Sequence, residues 1–168
     1  GEPLLHHKMP DMIAYARQKG IRPEISTNAT LLTEDLSKEI LKAGLGAIYM
    51  CLDGASAETY EAIRRRGDFE QTTANIQRFI ELRREIPATE PLVNVQIIEM
   101  QPTLPEVEEF TKQWRQAGVY RVNVKPFDSW GNQVDAIADL RAAEAKVPPK
   151  RWQCPNLWFH AHIYWDGT

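Results

Sequence analysis

Cysteine is nearly absent from this chain of 168 residues: Cys51 and Cys154 are the whole supply. Two thiols make no disulfide framework, so a reducing setting is expected and with it a cytoplasmic location. No apolar run approaches the ~20 residues of a membrane span and no secretory signal is visible, so no membrane partner is expected. An excess of one charge is missing too: 20 Lys plus Arg stand against 23 Asp plus Glu, a net charge of −3. Nucleic-acid-binding domains usually show a basic face, so no nucleic acid is expected as partner. The one dense basic run, Arg64-Arg65-Arg66, reads as a solvated helix end, where cations suit the dipole. There is no P-loop and no GxGxxG, so phosphate cradling by a Gly-rich loop has no support. An initiator Met is also lacking. The chain opens "GEPLLHHKMPDM", a turn leading into an amphipathic helical pattern, and such a turn is expected to follow a strand that stood before Gly1.

What is present is a repeating unit. "QKGIRPEIS", "KAGLGAIYM" and "QAGVYRVNV" each place Gly after a polar helical turn, then an apolar residue, then a strand-like run. Gly20, Gly44 and Gly118 fit the left-handed position just past a helix, and Ile21, Leu45 and Val119 fit the apolar position that folds back on it. Helical faces form from Leu36 and Ile40, from Ile76, Phe79 and Ile80, and from Val107, Phe110, Trp114 and Ala117. Thr103 and Glu106 have capping-box spacing, with Pro105 in the first turn. Strands are expected over about 21–26, 46–52, 92–100 and 120–126. Val93, Val95 and Ile97 alternate, whereas "AIYMCL" is almost continuously apolar, as for a strand covered on both faces. Strand and helix thus alternate, the mark of an α/β fold with a parallel sheet and right-handed crossovers. The chain is too short for a complete eight-unit barrel, which takes about 250 residues. An open doubly wound sheet and a piece of a barrel both fit. After Trp130 an Ala-rich stretch reads as a loose helix or linker, and "RWQCPNLWFHAHIYWDGT" is aromatic and strand-like.

Parallel α/β folds work at the carboxyl edge of the sheet. The strand ends here are polar: Gly1-Glu2-Pro3, Ser26-Thr27-Asn28, Cys51-Leu52-Asp53-Gly54, Glu99-Met100-Gln101 and Lys125-Pro126-Phe127-Asp128. Loops favour polar residues in any protein, but five successive ends sharing one rim point to a binding site for a polar small molecule.

In this order the strand ends resemble the radical S-adenosylmethionine (radical SAM) enzymes: "GEP" ending a second strand, "STNAT" a third, "YMCLDGASAETYEAIR" a fourth and "VKPFDSW" a sixth. "CPNLW" followed by "IYWDG" resembles the opening of the SPASM extension, a small domain that binds auxiliary iron–sulfur clusters. The resemblance implies a fragment of a partial (βα)6 TIM-like barrel, about its strands 3–6 without strands 1–2. It also implies a division into residues 1–130 as barrel, 131–150 as linker or helix, and 151–168 as the start of the extension. The missing start is then expected to hold the CxxxCxxC loop for a 4Fe–4S cluster. By the same resemblance Gly1, Glu2 and Pro3 match the segment whose carbonyls hold the methionine amino group. Ser26 and Asn28 match pocket positions. Cys51 stands where many members have a Ser that touches ribose or carboxylate, and a thiol is the weaker hydrogen bonder. Asp53 and Gly54 match the family's Asp-Gly turn, and Arg64 the basic residue that pairs with the methionine carboxylate. Cys154 matches the first auxiliary-cluster ligand.

The implied activity is reductive cleavage of S-adenosylmethionine at a 4Fe–4S cluster. The resulting 5′-deoxyadenosyl radical takes hydrogen from a peptide, protein or small-metabolite substrate, with Lys125, Asp128 and Trp130 nearest to it. An electron donor such as flavodoxin or ferredoxin is the implied partner. With no cysteine triplet, the chain as given is expected to be inert, and its unpaired edges to favour self-association. Two other readings fit the residues: a metal-dependent hydrolase or lyase using His160 and His162, for which His6 and His7 at a helix start offer no well-placed third ligand, and a non-catalytic α/β binding module. Cys154 separates the cluster reading from a buried apolar role. In the full-length protein reconstituted without oxygen, Cys154→Ala is expected to lower iron per chain and change the electron paramagnetic resonance spectrum; unchanged iron removes the ligand assignment.

Overall fold

A computed structural model of the chain describes residues 1–127, 140, 156–161 and 163. A 3-10 turn, Pro3–Leu5, is followed by α1 (Met9–Gln18), β1 (Glu24–Thr27), α2 (Glu34–Lys42), β2 (Ala47–Cys51), α3 (Ala57–Ile63), α4 (Phe69–Arg84) and β3 (Leu92–Glu99). A second 3-10 turn (Leu104–Glu106), α5 (Val107–Gln116), β4 (Arg121–Pro126) and the short α6 (Asn156–Phe159) complete the described elements. The expected strands are all present, a little shorter than their apolar runs. Pro23 offers no N–H to a ladder, so pairing begins at Glu24.

The three repeated helix ends close alike. Gly20, Gly44 and Gly118 have φ of 75°, 88° and 77°. The next residue donates back five positions, from Ile21 N to Ala16 O (3.0 Å), Leu45 N to Ile40 O (3.3 Å) and Val119 N to Trp114 O (3.4 Å). Leu45 and Val119 then pack on the core, but Ile21 stays 59% exposed. The backbone lock thus forms at Ile21 without the apolar contact.

All four strands are parallel, in the spatial order β1-β2-β3-β4. Right-handed crossovers that always step the same way put every connecting helix on one face. Register shows which face. Ile25, Ile48 and Val93 form one row, and Thr27, Met50, Val95 and Val122 the next. Those rows join Ile40, Ile76, Phe79, Phe110 and Trp114 in a single core. The opposite face carries Ser26, Tyr49, Asn94 and Arg121 in one row and Cys51, Gln96 and Asn123 in the next. A doubly wound sheet would need a reversal of strand order, and the described strands have none. The reading of "AIYMCL" as covered on both faces is therefore corrected: Ile48 and Met50 are buried under helices, while Tyr49 and Cys51 are half-buried on the polar side. Within the tail read as aromatic and strand-like, Asn156–Phe159 is a helical turn, since a short aromatic run carries no period that separates the two.

The amino edge of the sheet is held by charge. Arg22 donates to Glu90 (2.7 Å) and to the Gly46 carbonyl (2.9 Å) and pairs with Glu24, while Arg17 pairs with Glu90. Hydrogen bonds from Arg22 and then Arg17 hold the Glu90 carboxyl below its ordinary value.

The carboxyl edge departs from the capping-box expectation. Thr103 Oγ1 accepts from Met100 N (2.8 Å) and donates to Ile98 O (2.6 Å). Glu106 reaches across the sequence to the start of α3, accepting from Ala55 N (2.7 Å), Ser56 Oγ (2.5 Å) and Thr59 Oγ1 (2.7 Å). A carboxylate at a helix N-terminus is favoured by dipole and unpaired N–H groups alike. Burial raises its pKa, but the donors from Ser56, Ala55 and Thr59 outweigh that and hold it below the ordinary 4.5. The stability from a depressed carboxyl is present above the unfolded value and is lost as pH falls through the folded one. Glu106→Gln is therefore expected to cost about 1–2 kcal/mol at neutral pH. Its melting temperature should also fall less steeply than wild type below about pH 4.5. Parallel acid limbs in thermal melts would contradict the assignment.

Candidate functional site

The site begins with Glu2. Its Oε1 accepts from Leu4 N (3.1 Å) and Thr27 Oγ1 (2.7 Å), and its Oε2 from Asn28 N (2.8 Å). One carboxylate thus caps the first 3-10 turn and pins it to the end of β1. Thr27 faces the core layer, almost fully buried, and its Oγ1 accepts from Ala29 N (3.0 Å). Ala29 is buried at φ 61°, a conformation disfavoured for any residue with a Cβ. It is held there by Asn75, which donates to the carbonyls of Ala29 (3.0 Å) and Thr30 (3.2 Å). Asn28 Oδ1 accepts from Thr30 N (3.0 Å) and Thr30 Oγ1 (2.7 Å). Its Nδ2 has no partner among the described residues and remains to donate to a ligand.

On the polar face, Cys51 Sγ lies 3.5 Å from Ser26 Oγ and accepts from Gln96 Nε2 at 3.5 Å. Arg64 caps the end of α3 and folds back on Asp53, with Nε at 3.0 Å and Nη2 at 2.5 Å from Oδ2. Gly1, Glu2, Ser26, Asn28, Cys51 and Arg64, with Thr27, border one cavity of about 290 Å³ at the carboxyl edge. Four separate segments thus bring six of the eight sequence-derived cofactor residues together.

The other two stand behind that lining. Pro3 opens the 3-10 turn, and its carbonyl accepts from His6 N (3.0 Å). The Asp53 side chain is only 3% exposed, against 40% for Arg64, and its Oδ1 is buried without a hydrogen-bond partner. Asp53 therefore acts on the cavity through Arg64. Gly54 follows because a Cβ there would meet Tyr60 N at 2.8 Å, so the Asp-Gly turn lies directly on α3. Lys125 lies next to the end of β4, exposed. Asp128, Trp130, Cys154 and His162 lie outside the described residues. Among the described residues no three His, Cys, Asp or Glu side chains converge as for a metal ion, and no helix is long and apolar enough to cross a membrane. Sequence reasoning gave Thr27 only as one of the polar strand-end residues and Glu106 only as a helix cap, and it missed Gln96; the polar residues inside the strand "VNVQI" were the available signal for Gln96.

The family profile of the radical SAM superfamily matches residues 1–95, more than half of the chain. The chain belongs to the radical SAM superfamily. An AdoMet-dependent heme synthase of Methanosarcina barkeri is 36% identical over 78 residues, 46% of this chain and 22% of its own length. A tungsten-containing aldehyde ferredoxin oxidoreductase cofactor-modifying protein of Pyrococcus furiosus is 26% identical over 121 residues, 71% of this chain and 33% of its own. This radical SAM chain thus spans a third or less of these curated relatives. A solved structure of TYW1 with a lysine-pyruvate adduct bound superimposes with a TM-score of 0.57 at 17% identity, covering 76% of this chain and 39% of TYW1. That likeness shows a shared α/β fold with a parallel sheet. Membership implies S-adenosylmethionine and a 4Fe–4S cluster as the family's cofactors.

The Asp53–Arg64 pair is unequal, and stability should show it. Arg64→Ala leaves a buried carboxylate without its cation and is expected to cost about 2 kcal/mol or more. Asp53→Asn removes the buried charge and leaves Arg64 able to reach water, so about 1 kcal/mol is expected. In the double variant part of the Arg64→Ala loss should return. Urea unfolding of the three variants measures this, and simple additivity would remove the coupling.

Proposed function

We propose that this chain is the cofactor-binding part of the partial barrel of a radical SAM enzyme, with β1–β4 as the barrel's third to sixth strands. The single observation that carries the reading is the cavity at the carboxyl edge, bordered by Gly1, Glu2, Ser26, Asn28, Cys51 and Arg64, within the segment the family profile covers. Same-hand crossovers with all helices on one face agree with a barrel wall, whose polar face would turn to the bore.

The lining fits S-adenosylmethionine by its chemistry. Arg64 is anchored on one edge by Asp53 and offers the remainder of its guanidinium to a carboxylate. Asn28 donates through its free amide N–H groups to an ether or hydroxyl oxygen. Ser26 donates and accepts. With the Glu2 carboxylate already accepting from three donors, the first residues contribute their backbone, and the carbonyls of Gly1 and Glu2 suit an ammonium group. Cys51 holds less by hydrogen bonding than a Ser would. The two cysteines of the chain do not fit a 4Fe–4S cluster, so the cluster's ligands would come from residues outside it. When bound and reduced at such a cluster, S-adenosylmethionine supplies a 5′-deoxyadenosyl radical for hydrogen abstraction from the substrate. The residues of this chain orient the cofactor's polar ends and keep its reacting centre over the polar face.

A peptide, protein or small metabolite as substrate, a SPASM-type extension beginning near Cys154, and an electron donor such as flavodoxin or ferredoxin complete the reading. Ser26→Ala and Asn28→Ala in the full-length enzyme are expected to lower the yield of 5′-deoxyadenosine per reductant about tenfold. Stability should change by only about 1 kcal/mol, since each change removes a polar group and no core volume. Wild-type yields in both variants would remove the cavity as the cofactor site.

A further inference from the structure

Several carboxylates near the carboxyl edge and two of its cations are used differently. Glu2 is occupied by Leu4, Thr27 and Asn28, Glu106 by the start of α3, and Asp53 by Arg64. Glu61 of α3 accepts from Phe69 N, and Asp68, on the turn between α3 and α4, caps α4 through Gln71 N. Arg65 and Arg66 have no such employment: among the described residues no carboxylate lies within 4.0 Å of either guanidinium.

The turn that carries them is tightly built. Arg64 N donates to Tyr60 O and Gly67 N to Arg64 O, each at 2.7 Å. Arg66 is held at φ 64°, a left-handed conformation disfavoured by its Cβ. A Cβ on Gly67 would meet Tyr60 Cε1 at 2.7 Å and Arg64 O at 2.8 Å. Tyr60 itself is fully buried, with its hydroxyl 3.2 Å from Thr72 Oγ1. A solvated helix end needs none of this. Here a strained turn borders a second cavity of about 480 Å³, with Arg64, Arg65 and Arg66 from the turn and Asn28 and Thr30 from the loop after β1 among its lining. This cavity shares Asn28 and Arg64 with the cofactor cavity.

We propose that Arg65 and Arg66, with Thr30, form a subsite for an anionic group of the substrate, a carboxylate or a phosphate, beside the cofactor cavity. The placement beside a cofactor rests on the proposed function; the anion site itself does not. Guanidinium forks recognise carboxylate and phosphate oxygens in pairs. Arg64 is partly committed to Asp53, so the two free forks would take the substrate's anion.

The test uses the full-length protein and titration calorimetry at low salt with two probes, pyrophosphate and propane-1,2,3-tricarboxylate, to separate phosphate from carboxylate. Wild type is expected to bind one of them. Arg65→Gln with Arg66→Gln should weaken that binding about tenfold or more, leaving affinity for S-adenosylmethionine within about twofold, since neither residue borders the cofactor cavity. Arg65→Lys with Arg66→Lys keeps the charge but loses the fork, and should fall between. A control pair remote from the rim, Lys19→Gln with Lys112→Gln, should bind as wild type. Equal loss in the control pair, or no binding of either anion, overturns the subsite; so does binding of an acidic polypeptide alone, which would assign these arginines to a protein surface. If wild type binds the anion through Arg65 and Arg66 but does not bind S-adenosylmethionine, the cofactor reading falls and the anion site stands.

Discussion

One carboxylate organises the rim. Glu2 accepts three hydrogen bonds from three residues, and through them the first turn of the chain is tied to the end of β1. A carboxylate that gathers several N–H and O–H donors in a partly buried place is stronger than the same donors satisfied singly by water. Because Glu2 fixes Thr27 and the Asn28 N–H, the loop after β1 can hold Ala29 in a left-handed conformation and turn the Asn28 amide to the cavity. Asn75 secures the same loop from α4, so the helix layer and the cavity wall are one structure.

Similar economy governs the other acids. Glu106 caps a helix that begins about fifty residues before it, and Asp53 is consumed by Arg64. Much of the negative charge is thereby spent inside the scaffold, and the side chains bordering the cofactor cavity, Glu2 apart, offer amide, hydroxyl, thiol and guanidinium groups. Such a rim is suited to carboxylate and hydroxyl groups and poorly suited to holding a cation by side chains alone. The polar face of the sheet continues this character downwards through Ser26, Tyr49, Asn94 and Gln96.

Much of the scaffold was legible in the sequence because its signals are local. A Gly after a polar helical turn needs only its own φ to be recognised, and all three glycines close their helices as read, although Ile21 makes no apolar contact. Apolar periodicity gave Phe110 and Trp114 as core. Local signals also misled where a distant partner competed. Thr103 and Glu106 have capping-box spacing, yet Thr103 serves the turn after β3 and Glu106 the start of α3. The apolar run in β2 resembled a strand buried twice, since Tyr49 and Cys51 look apolar in sequence but sit on the polar face.

By itself the sequence determined the order and kind of elements, the parallel sheet and the polarity of the strand ends, because hydrophobic period and Gly position act over a few residues. It also carried the ordered motifs that marked the family. Only the tertiary structure decided which strand ends share a cavity, that Asp53 reaches it through Arg64, and that Arg65 and Arg66 stand without a carboxylate among the described residues. Those are facts of pairing across about ten to fifty positions, set by register and crossover hand, and no local pattern encodes which donor a carboxylate will find.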